Sequence, residues 1–188
     1  QKFIKINCYA SKYKKALNFL YKLKTPYFLT YVSKKKLTKK EQDRFNCNYC
    51  SKLIIFQKNF NKKEIVHNQC RAANKKDKIS LEKIINKTKT HSRFSSDKKI
   101  NKKNIKEFRK EWVFGYFINK KNRKLIVCEI ENKIAGFVLL RDNNKYLRIE
   151  LIMVDPSFNR SGIGSSLLSH INNSYFRSRN YLKAGTQF

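Results

Sequence analysis

The most regular pattern of apolar and polar positions lies in the last third of the chain. Leu125-Ile126-Val127-Cys128-Glu129-Ile130 is a strand-like run, the polar turn Glu131-Asn132-Lys133 follows it, and Ile134 to Leu140 forms a second run. Asp142-Asn143-Asn144-Lys145 supplies another turn, and Tyr146 to Val154 is a third strand that Pro156 stops. Short polar turns join antiparallel neighbours, so these three runs predict a meander. The period then changes: Ile163, Leu167, Leu168, Ile171 and Tyr175 share one face of a helix. Tyr181 to Phe188 returns to strand spacing, so a helical crossover makes the third and fourth strands parallel neighbours.

Upstream, Ile79 to Thr88 and Ile105 to Ile118 are expected to be helices, the second with an apolar face of Ile105, Phe108, Trp112, Val113 and Phe117. The polar segment from Thr90 to Asp97 between them is expected to be a loop. Before residue 75 the pattern is weaker. An aromatic, lysine-laced segment from Tyr9 to Tyr31 precedes a polar linker from Ser33 to Arg44 and a strand-like Leu53-Ile54-Ile55-Phe56. Tyr9, Tyr13, Phe19 and Tyr21 fall at helix-compatible spacing, which suits a packed core better than a base-stacking platform. The expected organisation is a partial N-terminal domain over 1–74 and a second domain over 75–188.

Composition complicates this picture. The 188 residues carry 44 Lys+Arg against 13 Asp+Glu, a formal +31 that brings disordered and nucleic-acid-binding chains into consideration. Two counts weaken those readings. There are 34 Lys but only 10 Arg, accompanied by 20 Asn, whereas phosphate and base readout favours the planar arginine fork. The excess is also uneven, since Leu125 to Phe188 holds 8 basic and 5 acidic residues, a net +3. With 40% hydrophobic residues the chain can bury a core. No apolar run approaches a membrane span, no signal peptide is visible, and the odd total of five Cys suits reduced thiols, so a cytoplasmic location is expected. The chain begins at Gln1 and stops after a strand-like run, which suggests a fragment at both ends.

The strongest chemical signal is the run Val154-Asp155-Pro156-Ser157-Phe158-Asn159-Arg160-Ser161-Gly162-Ile163-Gly164-Ser165. A strand ends, a short loop turns, and two glycines open an amphipathic helix whose first amides lack partners and carry the positive end of the helix dipole. This is an anion site: Gly162 and Gly164 let a phosphate approach the backbone, and Arg160, Ser161 and Ser165 add charge and donors. It is not a P-loop, because no Lys follows the second Gly, nor a dinucleotide fingerprint, because Leu167 stands where a third Gly or Ala is needed.

These residues resemble the GNAT acetyltransferase superfamily, whose signature at this turn is Arg/Gln-x-x-Gly-x-Gly/Ala. Asn159-x-x-Gly162-x-Gly164 matches it with Asn in the Arg/Gln position. The resemblance implies that acetyl-CoA is the cosubstrate, with its pyrophosphate held by the amides from Arg160 to Ser165, including Ile163. It also implies that the preceding strand splays at a bulge and frees backbone groups near Ile152, Met153 and Val154 to pair with the pantetheine arm. The fold implied is a mixed, mostly antiparallel sheet with flanking helices, truncated here before its last strands.

Ser92-Arg93-Phe94, Phe108-x-x-x-Trp112-Val113 and Gly185-Thr186-Gln187 are similar to the dTDP-fucosamine acetyltransferases, which acetylate a nucleotide-linked amino sugar for surface polysaccharides. That resemblance spans about residues 80 to 188 and departs at Arg109, where the family has an aromatic. It implies direct attack of the amine on the thioester, with a backbone N–H near Met153 or Val154 polarising the carbonyl. Arg93 would pair with a phosphate of the sugar nucleotide, and Phe94 would line its pocket. Glu150 is the candidate to draw off the amine proton, its alternative being a plain cross-strand carboxylate. A tyrosine general acid is expected beyond Phe188, so the chain as given is expected to bind coenzyme A weakly and turn over poorly.

Three alternatives stand beside this reading. One is a GNAT enzyme acting on a protein or another small-molecule amine. Another joins Cys47-x2-Cys50 to His67-x2-Cys70, four soft ligands in two pairs that suit tetrahedral zinc in a small basic nucleic-acid-binding module. Against zinc, the strand-like Leu53 to Phe56 lies between the pairs and few glycines form knuckle turns, so no metal and no nucleic acid are expected. The partners expected are acetyl-CoA and a small-molecule amine, with no membrane span and with room for a homodimer. The bland alternative is a glycine-bearing helix start with no ligand.

Overall fold

The computed structural model describes residues 3–6, 28–31, 38–44, 52–60, 63–89, 92–96, 102–118 and 121–187. The chain divides into two compact units, Gln1–Cys50 and Ser51–Phe188. In the first, β1 (Phe3–Ile6) and β2 (Phe28–Tyr31) pair in parallel, with Phe3 opposite Phe28. A short helix, α1 (Lys39–Arg44), is opened by a reciprocal cap in which the Glu41 amide donates to Thr38 Oγ1 and the Thr38 amide donates to Glu41 Oε2. The aromatic positions from Tyr9 to Tyr21 lie outside the described residues.

The second unit is a six-stranded sheet with helices on both faces. Its elements in order are β3 (Leu53–Asn59), β4 (Gln69–Ala72), a 3-10 turn (Lys75–Asp77), α2 (Lys78–Lys87), α3 (Arg93–Ser96) and α4 (Lys102–Ile118). The meander β5 (Arg123–Ile130), β6 (Lys133–Asp142) and β7 (Tyr146–Val154) follows. A 3-10 turn (Pro156–Phe158), α5 (Ile163–Tyr175) and β8 (Tyr181–Gln187) complete it. The strand order is β3-β8-β7-β6-β5-β4, antiparallel except for the β7–β8 pair joined by α5. This is the mixed sheet and crossover read from the sequence.

Alternation along the strands divides the core in two. Leu125, Val127, Phe137, Leu139 and Met153 face α2 and α4, where Leu81, Ile84, Ile85, Val113 and Phe117 pack on them. Ile126, Val138, Leu140, Leu147, Ile149 and Leu182 point the other way and pack under Ile163, Leu167 and Ile171 of α5. The segment between β3 and β4 is tied to α5: the Glu64 amide donates to Asn173 Oδ1, Asn173 Nδ2 returns a bond to the Glu64 carbonyl, and Ser169 Oγ donates to Glu64 Oε2. The boundary expected at residue 74 therefore falls inside this unit, because β3 pairs with β8 and β4 with β5. The segment expected to be a loop contains the single turn of α3. Among the described residues no helix is long and apolar enough to cross a membrane.

Candidate active site

The site is built where β7 leaves β8. Their parallel pairing runs from Tyr146 opposite Tyr181 to Ile149 opposite Ala184 and stops there. Beyond that point β7 continues against β6, through Ile152 opposite Val138 to Val154 opposite Gly136, while β8 continues against β3 to Gln187 opposite Leu53. The two strands thus diverge into a wedge, and among the described residues the β7 edge from Glu150 to Val154 meets no strand on that side. The cause is visible in the register: Leu151 pairs with Leu139 and Ile149 with Leu140, so Glu150 is the extra residue of a bulge.

The wedge leads to the turn before α5. Asp155 caps the 3-10 turn by accepting from the Ser157 amide at 3.0 Å, Arg160 takes a left-handed backbone at φ 64°, and Gly162 does so at φ 73°. The first α-helical bond of α5 closes from the Ser166 amide to the Gly162 carbonyl at 2.9 Å, so the amides ahead of it have no intrahelical partner. A side chain at Gly164 would enter open space, which leaves the backbone approachable there. Ile163 is buried over Gly136, where an added Cβ would lie 2.6 Å from Ile163 Cγ2 and 2.9 Å from the Met153 carbonyl. Gly136 therefore sets how closely the helix start seats on the sheet.

Several residues that shape this turn escaped the sequence reading. Asn68, just before β4, donates through Nδ2 to the Ser161 carbonyl at 3.3 Å and to Ser166 Oγ at 3.0 Å, stitching the turn to the sheet. A cleft of about 460 Å3 beside it is lined by Lys87, Thr88, Lys89, Val154, Pro156 and Asn159. Lys87 Nζ pairs with Asp155 Oδ2 at 3.2 Å, and Thr88 Oγ1 donates to the Ile84 carbonyl at 2.8 Å. Burial pushes the Asp155 carboxyl up, but bonds from Ser157 and Lys87 outweigh it and hold it below the usual range. The last residue of α2, Lys87, and Lys89 just beyond the helix thus bring two lysines to the cleft that Asn159 also lines.

The predicted residues fall on this frame as follows. Met153 is buried under α2 and α4, Ile152 is exposed, and Val154 lies half-buried at the cleft. Asn159, Arg160, Ser161 and Ser165 are exposed around the turn. Arg93 opens α3, and the Phe94 ring packs on Phe108 at 5.1 Å, which in turn meets Trp112 at 6.1 Å. Phe94 is thus engaged with the aromatic run of α4.

Glu150 points toward α4. Its Oε2 accepts from Tyr116 Oη at 2.6 Å and its Oε1 from Arg141 Nε at 2.8 Å. Burial pushes the carboxyl up, yet the hydrogen bonds from Arg141 and Tyr116 and the arginine charge bring it below its ordinary value. Burial and the bond to Glu150 raise the Tyr116 hydroxyl. A carboxylate held this way stays ionised and is a poor acceptor of a further proton.

Of the zinc alternative, Cys47 and Cys50 lie outside the described residues. His67 is exposed, whereas Cys70 stands directly opposite Cys128 across β4 and β5. Among the described residues no cluster of three or more metal-ligating side chains forms.

Residues 93–185 match the family model of the Acetyltransferase (GNAT) domain. A conserved protein of unknown function from Staphylococcus epidermidis shares the fold, with a TM-score of 0.62 at 11% identity over 85% of this chain and 62% of that one. The ribosomal-protein-S18-alanine N-acetyltransferase of Escherichia coli aligns with a TM-score of 0.40 at 17% identity, covering 57% of this chain and 58% of that one. The PaiA N-acetyltransferase of Thermoplasma acidophilum, solved with coenzyme A, aligns with a TM-score of 0.45 at 12% identity, covering 57% and 70%. The chain spans about three fifths of the length of the first two of these structures. The sequence comparison with curated proteins finds no significant match.

Proposed function

We propose that the chain is an acetyl-CoA-dependent N-acetyltransferase whose acceptor is the amino group of a nucleotide-linked sugar. The observation that carries the reading is the continuity of the wedge after Ile149 and Ala184 with the amides that open α5. An extended arm fits an unpaired strand edge, and a diphosphate fits a helix start approachable at Gly164. The family match over residues 93–185 supports acetyl transfer, and the resemblance at Ser92-Arg93-Phe94 favours the sugar acceptor.

In this reading the turn from Asn159 to Ser165 holds the diphosphate, and Lys87 and Lys89 add positive charge at the cleft. Residues Ile152 to Val154 would pair with the arm and present an amide to the carbonyl oxygen as it gains charge. Acetyl-CoA would supply an activated thioester as cosubstrate; the neutral acceptor amine would bond to the acetyl carbon as the carbon–sulfur bond breaks. The proton that nitrogen loses would pass, directly or through water, to the departing coenzyme A thiolate. The resemblance at Ser92-Arg93-Phe94 puts Arg93 and Phe94 on the acceptor side. Glu150 is assigned a positioning role, holding the bulge that opens the wedge, because both of its oxygens are already occupied.

The test is a thermal-unfolding titration of the full chain with coenzyme A and with acetyl-CoA. A ligand at a hundred times its Kd adds about 2.7 kcal/mol of stability, a readily measured rise in Tm. An unchanged Tm at millimolar coenzyme A overturns the assignment. Release of free thiol on adding amino-sugar nucleotides, set against polyamines and N-terminal peptides, then ranks the acceptors.

A further inference from the structure

Four cations line up across the sheet on the face that α2 and α4 cover only in part. Arg123 of β5 is opposite Arg141 of β6, Arg141 is opposite Arg148 of β7, and Arg148 is opposite Lys183 of β8. Directly opposed residues share a face, and like charges opposed in this way destabilise a sheet. One carboxylate, Glu150, answers the row through Arg141. Arg123 lies over the Tyr116 ring at 5.3 Å, and Lys183 lies 4.9 Å from Tyr146 and 5.0 Å from Tyr181, two rings stacked at 5.0 Å. Among the described residues no carboxylate closes a salt bridge on Arg123, Arg148 or Lys183.

The place of the row matters as much as its charge. Arg148 and Lys183 form the last pair but one before β7 and β8 part, so their side chains stand at the mouth of the wedge. A pocket of about 170 Å3 opens there, lined by Arg148, Lys183 and Tyr146, with Leu53 and Ile55 of β3 as an apolar wall. The α5 turn cannot account for this charge. It packs on the opposite face of the sheet, and Arg148 is six residues along β7 from Val154, about 20 Å of strand.

We propose that the pocket and the cation row hold the anionic head of the acceptor, and that the acceptor is a phosphate-bearing amine whose nitrogen reaches into the wedge. The amine part of this inference rests on the acetyl-transfer reading; the anion site does not. Three steps between strands make the row about 14 Å long, which matches a small phosphate ester or diphosphate rather than a polymer track. Phosphate suits the arginine fork, and the apolar wall from β3 suits the less polar body of such a molecule.

The test uses the full chain with inorganic pyrophosphate and uridine diphosphate as probes, titrated with and without saturating coenzyme A. Binding of either probe that persists with coenzyme A present, and that weakens at least tenfold in R148A/K183A, supports the site. Uridine diphosphate binding more tightly than pyrophosphate points to a nucleotide-linked acceptor, and equal binding to a simple phosphate ester. R148K/K183R is expected to stay within about threefold of the wild type, and its failure alongside the alanine variant overturns a charge-based site. Absence of probe binding, or binding indifferent to R148A/K183A, also overturns it. A 20-base-pair DNA duplex that binds more tightly than either probe and is lost in the same variant overturns it in favour of nucleic acid. Coenzyme A affinity is expected to change less than twofold in R148A/K183A, which also reports that the variant is folded; a chain that binds the probes but not coenzyme A refutes acetyl transfer and leaves the anion site standing.

Discussion

The Tyr116 hydroxyl donates to Glu150 Oε2 at 2.6 Å and so ties α4 to the bulge in β7. The bond joins a helix on one face of the sheet to the residue whose insertion turns β7 away from β8. Arg141 completes the clamp from the neighbouring strand. The wedge is therefore held open through Glu150, a side chain that need not touch a substrate.

E150Q tests this role. The amide can still accept from Tyr116 but loses the ion pair with Arg141, so stability is expected to fall by about 1–2 kcal/mol. If Glu150 only positions the strand, kcat/KM drops while the acid limb of its pH profile stays in place, and Y116F gives the same pattern. Disappearance of the acid limb in E150Q alone would make Glu150 the proton acceptor instead.

Gly164→Ala, set against Gly164→Leu, separates folding from cofactor binding. Its Cβ meets nothing within 4 Å, so the fold accommodates it, and alanine in a first helical turn is favoured over glycine by up to about 1 kcal/mol. The family signature admits alanine at this position, so a methyl leaves the turn's amides approachable, whereas the longer side chain of Gly164→Leu would cover them. A Tm equal to or above that of the wild type is expected for Gly164→Ala with coenzyme A affinity near that of the wild type, and an affinity at least tenfold weaker by calorimetry for Gly164→Leu.

Gly136→Ala should behave in the opposite way. A Cβ there would press on Ile163 Cγ2 at 2.6 Å and on the Met153 carbonyl at 2.9 Å, and the second of these is backbone. Either α5 or β7 must shift, at about 1–3 kcal/mol. Chemical denaturation reads the loss directly, and coenzyme A binding is expected to weaken with it because the turn of α5 is displaced.

The meander and crossover were legible because each strand carries its own alternation and each turn its own polar residues, so Tyr146 to Val154 is bounded as read. Gly162, read as a place where a phosphate could approach the backbone, takes a left-handed conformation at φ 73° that favours glycine. What was not legible depends on contacts made across the chain. β4 is four residues, Gln69 to Ala72, too short and polar to stand out before it pairs with β5. β3 is readable as a strand, but nothing in Leu53 to Phe56 says that it pairs with Tyr181 to Gln187, so the expected boundary lies too far along. The bulge at Glu150 adds one residue to an otherwise regular alternation and shows only in the register. Asn68, Lys87 and Thr88 reach the turn from separate elements, and the cation row exists only once four strands are aligned.

The hinge between β4 and α2 gives a pH signature. Arg71 donates to both oxygens of Asp77, at 2.8 and 3.0 Å, and also pairs with Glu129, while the Asn74 amide donates to Asp77 Oδ2 at 2.7 Å. The Arg71 hydrogen bonds hold the Asp77 carboxyl below its ordinary value despite burial. A carboxyl whose folded pKa is depressed stabilises the fold fully above the unfolded value, about 3.9, and loses that contribution as pH falls through the folded value. D77N is therefore expected to be less stable than the wild type by about 1–3 kcal/mol at pH 7. The gap should close as both proteins are titrated from pH 5 toward pH 2, because protonation removes from the wild type the charge that the variant lacks. Urea unfolding at a series of pH values measures it. A gap that stays constant across that range would mean that Asp77 works through its shape and not through its charge.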